Sequence, residues 1–294
     1  MKLAAVDIGS NAIRLLLVTT RETDEGVVFK KTALYRYPLR LGADVFGTGS
    51  ISPDVYRTLK HLLRGFDHLV KAFDPKAFRV CATSAIREAK NKKEIIEKLA
   101  EKTGIQIELI DGEEEAAIIF SNQLSHVLRP NEVAMYVDVG GGSTELTIMK
   151  DGESVIARSF KIGTVRALQN NVKKEEWGNL EQWVKEVSEK YKPTYVIGSG
   201  GNINKLSRLD FFPKKAEGSI ERVEIQQLRD LINKYSYEDR IDVLGLKPDR
   251  ADVIIPAADI FLLAMNTAGI DTAITPKVGL ADGIIRDLYK RVRC

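Results

Sequence analysis

Short runs of alternating apolar and polar residues separate longer stretches with helical periodicity, an order that predicts an α/β protein. Residues 2–7, 13–19 and 27–37 read as strands by alternation and β-branched content. Ser52 followed by Pro53 marks a helix start, with a capping side chain and a proline at the first helical position, and the periodic stripe runs to about residue 73. A buried strand is expected over 78–83, a helix capped by Asn91 through 102, a strand over 105–110, and a helix from about 113 to 127 after the Asp111-Gly112 turn. Beyond Arg129-Pro130-Asn131 the pattern begins again: a strand at 133–139, a hairpin over 144–161, a helix around 179–191, a strand at 194–199 and a helix from about Asn202. This restart divides the chain into an N-terminal domain, 1–127, and a C-terminal domain, 128–294. An amphipathic segment at about 280–292 is able to pack back on the first domain.

The restart is also a repeat of chemistry. Lys2-Leu-Ala-Ala-Val-Asp-Ile-Gly-Ser-Asn11 and Ala134-Met-Tyr-Val-Asp-Val-Gly-Gly-Gly-Ser-Thr144 each bring an apolar strand to an aspartate, turn sharply through small residues and continue into a second strand. Glycines let a backbone approach a ligand closely and aim successive N–H groups at an anion, and an aspartate at the strand end is placed to hold a cation or a water. Two phosphate-binding hairpins imply two related domains facing one polyphosphate-like ligand.

Composition narrows the class. The chain has 294 residues, 44% of them hydrophobic, enough for two domains of roughly 100–200 residues each. A net charge of +3 is too mild for a nucleic-acid coat, but clusters such as Lys90/Lys92/Lys93 and Lys214/Lys215 leave room for a polyanion. The longest apolar stretch, 253–265, is interrupted by Pro256 and Asp259 and falls short of the roughly 18 residues of a membrane span. No export signal opens the sequence, and Cys81 and Cys294 lack metal-ligand spacing, so a cytoplasmic protein is expected, with no membrane or nucleic-acid partner. His61, His68 and His126 lie in predicted helices without a converging partner, and Trp177 and Trp183 read as packing residues.

Five motifs in order carry a family resemblance: Asp7-Ile-Gly-Ser-Asn11, Ala82-Thr-Ser-Ala-Ile-Arg87-Glu-Ala-Lys-Asn91, Gly112-Glu-Glu-Glu115-Ala116, Asp138-Val-Gly-Gly-Gly-Ser-Thr-Glu145-Leu146 and Gly198-Ser-Gly-Gly-Asn202. Together they resemble the exopolyphosphatase/guanosine pentaphosphate phosphohydrolase family. The resemblance implies two ribonuclease H-like domains of the actin-like, sugar-kinase-like ATPase superfamily with a ligand cleft between them, in the short two-domain form. Three departures stand out: Ala12 where the family usually has serine, Asn202 where threonine is common, and Ala281 where arginine is frequent.

The resemblance aligns Glu115 with the glutamate that activates water in the family, a role a carboxylate beside a phosphoryl group can fill. Glu113, Glu114 and Glu115 equally suit a helix's first turn, where acidic residues favour the dipole. Asp138 and Glu145 flank the second glycine turn and can converge on one hard cation, with Asp7 acting through water; Mg²⁺ fits all-oxygen ligation. The alternative for Asp138 is a cap of its own turn. Phosphate contacts are expected from Ser10, Asn11 and Arg14, from Gly140, Gly141, Gly142, Ser143 and Thr144, and from Gly200, Gly201 and Asn202 at a helix N-terminus. Arg87 is the candidate bidentate anion clamp, although a mixed-charge helix start would also explain it.

The expected activity is release of terminal orthophosphate from inorganic polyphosphate or guanosine pentaphosphate by direct attack of water. An actin-like or sugar-kinase-like ATPase and a non-enzymatic alarmone sensor are the two rivals. Oligomeric state is left open, a homodimer included.

Overall fold

The computed structural model describes residues 1–24, 26–123, 128, 131–209, 211, 218–276 and 278–293, without the side chains of 116 and 119–123. The predicted end of the helix at 124–127 and the Lys214/Lys215 cluster lie outside them. The chain forms two compact units, residues 1–122 with 279–294 and residues 123–278.

Unit 1 contains β1 (Lys2–Ile8), β2 (Ile13–Thr23), β3 (Gly26–Tyr37), α1 (Leu41–Thr48), α2 (Pro53–Phe73), β4 (Ala77–Ala82), α3 (Ser84–Glu88), α4 (Lys92–Thr103), β5 (Glu108–Leu109) and α5 (Gly112–Gln123). Its sheet has the order β3-β2-β1-β4-β5, with β2 antiparallel to both neighbours and β4 and β5 parallel to β1. Central β1 is buried from Leu3 to Ile8, which explains its nearly continuous apolar run. Helix α2 starts as its sequence suggests: the Ser52 hydroxyl accepts from the Val55 N–H and Pro53 occupies the first turn. Its buried stripe is Leu59, Leu63, Phe66 and Val70. Asn91 precedes α4 but makes no side-chain cap; its carboxamide instead exchanges hydrogen bonds with both backbone groups of Ile51, at 3.0 and 2.9 Å. The strand expected over 105–110 shortens to β5, where Glu108 and Leu109 are in register with Cys81 and Ala82 of β4 and the Ile110 N–H donates to the Ala82 carbonyl at 3.1 Å.

Unit 2 contains β6 (Val133–Val139), β7 (Thr144–Lys150), β8 (Glu153–Phe160), α6 (Thr164–Leu168), α7 (Lys174–Tyr191), β9 (Tyr195–Ser199), α8 (Ile203–Leu206), β10 (Ser219–Glu221), α9 (Arg222–Asn233), α10 (Tyr237–Asp242), α11 (Pro248–Ala251), α12 (Ile254–Ala268) and β11 (Thr272–Ile274). Its sheet runs β10-β11-β9-β6-β7-β8. Read from β8, this repeats the 3-2-1-4-5 order of unit 1 with β10 added at the edge, the topology of a ribonuclease H-like domain. The core is built on Met135, Val137, Leu146, Ile148, Trp183, Val196 and Phe261, and Trp183 meets Phe160 edge to face at 5.9 Å between ring centroids. By length and composition the helical stretch Pro248–Ala268 could cross a membrane. In the fold, Ile254, Ala257, Ala258, Ile260, Phe261 and Met265 of α12 are buried in the core of unit 2, and Asp259 pairs with Arg229 at 2.8 Å.

The closing helix α13 (Leu280–Arg293) belongs to unit 1 and lies against β1, β2 and β4. Leu280, Ile284, Ile285 and Leu288 form its apolar face. Tyr289 packs edge to face on Phe29 at 5.2 Å, and Lys31 reaches Asp282 at 2.6 Å.

Candidate active site

In unit 1, β1 ends at Ile8 and the chain reverses through Gly9–Ala12, closed by the Gly9 N–H to the Ala12 carbonyl at 3.2 Å. Asp7 and Arg14 are direct cross-strand partners, and Arg14 Nη1 donates to Asp7 Oδ2 at 2.7 Å. Any cation at Asp7 must share that carboxylate with a guanidinium already in place. Ser10 Oγ lies 2.8 Å from Ser84 Oγ at the start of α3, and the Ser10 carbonyl accepts from Gly42 N–H at 2.8 Å. Arg40 Nε donates to Asn11 Oδ1 at 2.9 Å. Thus both polar side chains of the first turn are oriented by neighbours in the same unit.

Arg87 is half-buried, and one arm of its fork donates to the Ile110 carbonyl at 2.6 Å, in the connection that leads into α5. Asp111 Oδ1 accepts from Glu114 N–H at 2.8 Å, so α5 is capped by a residue the sequence reading had treated as a turn. The three glutamates after it are no longer equivalent. Glu113 is exposed, Glu114 is exposed and bonded to Arg79 at 3.1 Å, and Glu115 is half-buried.

In unit 2, Asp138 and Glu145 face each other across the β6–β7 ladder. Glu145 is 3% exposed and its Oε1 accepts from Ser159 Oγ at 2.9 Å; Tyr136 OH points to Asp138 Oδ2 at 3.4 Å. Ser199 is the register partner of Asp138 on the other side, and its buried hydroxyl finds no hydrogen-bond partner among the described residues. The turn is closed by Gly140 N–H to Ser143 O at 3.0 Å.

Behind this turn stands α6. Thr164 N–H donates to Gly140 O at 3.0 Å, Val165 N–H to Gly141 O at 2.9 Å and Arg166 Nε to Gly142 O at 2.9 Å. Because a trans peptide points its N–H opposite to its carbonyl, the N–H groups of Gly141, Gly142 and Ser143 aim away from α6. Those are the groups the turn can offer an anion. Thr144 is fully buried and its hydroxyl donates to Ile162 O at 2.6 Å, so its side chain fastens the β8–α6 connection.

Gly200 sits at φ +108°, and a Cβ there would fall 3.0 Å from the Val139 carbonyl and 3.5 Å from Asp138 Oδ1. Glycine is therefore what allows the two strand ends to approach. Arg250 Nη1 donates to Gly201 O at 2.8 Å and Asn204 Nδ2 to Gly200 O at 3.0 Å. Asn202 makes no side-chain cap on α8, contrary to the cap its position suggests, and its residue is 9% exposed.

Sequence reasoning missed the residues that hold the turns from behind. A Cβ on Gly163 would lie 2.4 Å from the backbone of Gly141 and Gly142, so the helix backbone rests directly on the turn. In unit 1 the Gly42 N–H holds the Ser10 carbonyl at 2.8 Å, and a Cβ there would fall 2.7 Å from the Phe46 ring and 3.2 Å from Ser10 Cβ. The signal was present: Arg40-Leu41-Gly42 and Lys161-Ile162-Gly163 each follow the third strand of their unit.

Two units of ribonuclease H-like topology, each with an aspartate-ended strand and a glycine-closed turn braced by a helix, define an α/β protein of duplicated fold. The model of the Ppx/GppA phosphatase family matches residues 23–292, and the chain belongs to that family. It is 27% identical over 305 aligned positions to a guanosine-5'-triphosphate,3'-diphosphate pyrophosphatase of Vibrio parahaemolyticus, covering 99% of this chain and 60% of the relative. The chain thus spans about 60% of the length of that relative. Among solved structures, the Aquifex aeolicus Ppx/GppA family member aligns with TM-score 0.76 at 25% identity over 99% of this chain and 98% of that one. An exopolyphosphatase from Cytophaga hutchinsonii aligns with TM-score 0.84 at 19% identity, with the same shares covered, a likeness of fold.

Proposed function

We propose that this protein is a phosphoanhydride hydrolase that releases terminal orthophosphate from inorganic polyphosphate or guanosine pentaphosphate. The observation that carries the reading is the second hairpin: two facing carboxylates beside a turn whose carbonyls are drawn back and whose N–H groups face out. The names of the relatives support the same chemistry.

The donor set suits magnesium. Mg²⁺ is held by one or two carboxylates, with substrate phosphates and waters completing its octahedron. Asp138 and Glu145 supply such a pair, and among the described residues no group of three His, Cys, Asp or Glu forms a closed protein cage. When bound, the ion would neutralise charge on the phosphoryl oxygens.

Glu115 accepts a proton from water; the water oxygen forms a bond to the terminal phosphorus as the bridging oxygen departs with the shortened chain. The N–H groups of Gly141, Gly142 and Ser143, with Ser10, Asn11, Gly200 and Gly201, orient phosphate oxygens, and Arg87 contributes positive charge from the last turn of α3. Half-burial distinguishes Glu115 from Glu113 and Glu114, which are both exposed.

The test is phosphate release from short polyphosphate, long polyphosphate, guanosine pentaphosphate and ATP at equal magnesium. Release from polyphosphate without nucleotide is the expected result; tight ATP binding with no such release would favour the kinase-like reading. In the same assay Glu115→Gln should bind substrate as well as the parent while turnover falls by roughly 10²–10⁴, the worth of general base catalysis. Glu113→Gln is the control for the helix-dipole explanation and should stay near the parent.

A further inference from the structure

Arg79 lies on β4 with its side chain 4% exposed. Each nitrogen of its guanidinium has a carboxylate: Nε donates to Glu108 Oε2 at 2.9 Å, Nη1 to Asp287 Oδ2 at 2.9 Å and Nη2 to Glu114 Oε1 at 3.1 Å. Those three partners come from β5, α13 and α5. Asp287 is shared with Arg291 one turn further along α13, at 2.7 Å. Burial opposes a charge at Arg79, but the hydrogen bonds it donates to Glu108 and Glu114, with the negative charge around it, outweigh burial and hold the guanidinium above its ordinary pKa.

As a contribution to stability this cluster is a poor investment. The three carboxylates are 51%, 44% and 25% exposed, and a buried cation can often be replaced by a packed apolar side chain at no loss. What a planar fork supplies that an apolar side chain cannot is a fixed spacing among three elements. One of these elements is the first turn of α5, immediately beside Glu115. The connection leading into that turn is held by Arg87 on the Ile110 carbonyl, and α13 presses on α5 so closely that a Cβ on Gly283 would fall 2.6 Å from Ile118 O.

We propose that Arg79 is a positioning residue: through Glu114 it locks the first turn of α5 where the Glu115 carboxylate acts, and through Asp287 it ties that turn to the closing helix. This rests on the reading of Glu115 as the general base. A misplacement of about 1 Å at a reacting group can cost on the order of 10²-fold in rate.

Glu108→Gln and Glu114→Gln each remove one carboxylate from the same guanidinium, and Glu108 Oε2 lies 2.9 Å from Nε and 2.8 Å from Nη2, so a purely structural role moves the Glu108 variant at least as much as the Glu114 variant. We would measure kcat, KM and thermal midpoint for both, with Glu115→Gln and Arg79→Met, using polyphosphate and assaying well below every midpoint. Glu114→Gln should lower kcat about threefold to tenfold with KM changed by less than about twofold, Glu108→Gln should leave kcat within about twofold, and Arg79→Met should lower kcat by about 10- to 100-fold. If Glu115→Gln is inactive but Glu108→Gln and Glu114→Gln have the same kcat, the positioning role is overturned and the base assignment stands. Parent-like turnover by Glu115→Gln overturns both. The paired glutamate variants decide the matter even if Arg79→Met does not fold.

Discussion

In unit 1 the aspartate that ends the first strand faces Arg14 across the ladder, whereas in unit 2 the aspartate at the same place faces Glu145. The backbones around the two pairs are alike. Each turn is closed from a glycine N–H to the carbonyl three residues on, at 3.2 and 3.0 Å, and each is braced by the chain segment that follows the third strand. The electrostatics are opposite. Asp7 and Arg14 neutralise one another at 2.7 Å, while two carboxylates directly opposite on adjacent strands repel, a cost of a few tenths to about 1 kcal/mol. The duplicated hairpin thus keeps the same turn closure in both copies, and on the proposed reading one residue in the return strand makes unit 2 the place where a cation gains most. The flanking strand differs as well: Cys81 stands beside Asp7 where Ser199 stands beside Asp138.

The comparison breaks most sharply at the carboxylate pair. Glu145→Gln and Asp138→Asn keep the shape of unit 2 but remove the charge that binds a hard cation. Each should lower turnover by about 10²–10³ and raise the magnesium concentration for half-maximal rate roughly tenfold. Because they also relieve repulsion, the thermal midpoint without magnesium should hold or rise. A magnesium titration with parallel melting curves checks both signs, and an unchanged magnesium dependence takes that carboxylate out of the metal shell.

A smaller effect is expected from the other member of the comparison. Arg14→Gln leaves the Asp7 carboxylate, 7% exposed, without its charge partner. Removing one side of such a pair should cost about 1–3 kcal/mol, the lower end being favoured because Arg14 itself is 32% exposed to screening solvent. Urea denaturation measures it, and turnover should fall by less than about tenfold, since Asp7 is not asked to supply the primary cation charge. A loss as large as that at Glu145 would make the two hairpins chemically equivalent.

The smallest effect concerns the flanking strand. Burial pushes the Cys81 thiol up to about 12 from an ordinary 9.0, with Arg79 pulling the other way. The raised value means the folded state holds this proton more tightly than the unfolded chain. Its contribution to stability is complete below pH 9.0 and is lost as pH rises towards 12. Alkylation of Cys81 by iodoacetamide at pH 8, followed by peptide mass to separate it from Cys294, should therefore be slow in the folded protein and fast in urea; equal rates would show that Cys81 is not held in the buried environment of β4.

Much of the fold was legible because its signals are local. The two Asp-turn-strand segments, the Ser52-Pro53 start of α2 and the alternation of β2 and β3 depend on neighbours a few residues apart. Where a signal required distant partners the reading slipped. Asn91 looked like a cap, yet its carboxamide is taken by Ile51, and Asn202 does not cap α8. Arg14 was expected at phosphate, and the structure adds a partner the sequence did not suggest, the Asp7 carboxylate at 2.7 Å. Arg79 attracted no notice, because a lone arginine in a strand says nothing about carboxylates on β5, α5 and α13.

From the sequence alone came the duplication, the placement of a carboxylate at each strand end, the glycines that permit close backbone approach, and the family whose motifs these are. All of these are encoded in contiguous residues, where backbone sterics and side-chain alternation act over a few bonds. Only the tertiary structure decided which of three adjacent glutamates is tied to Arg79 and which is half-buried. It also decided which carbonyls of the glycine turn are held back by α6, and that the closing helix belongs to the first unit. Those outcomes depend on pairings between residues far apart in the chain, fixed when the sheets and helices pack and the buried polar groups must find partners.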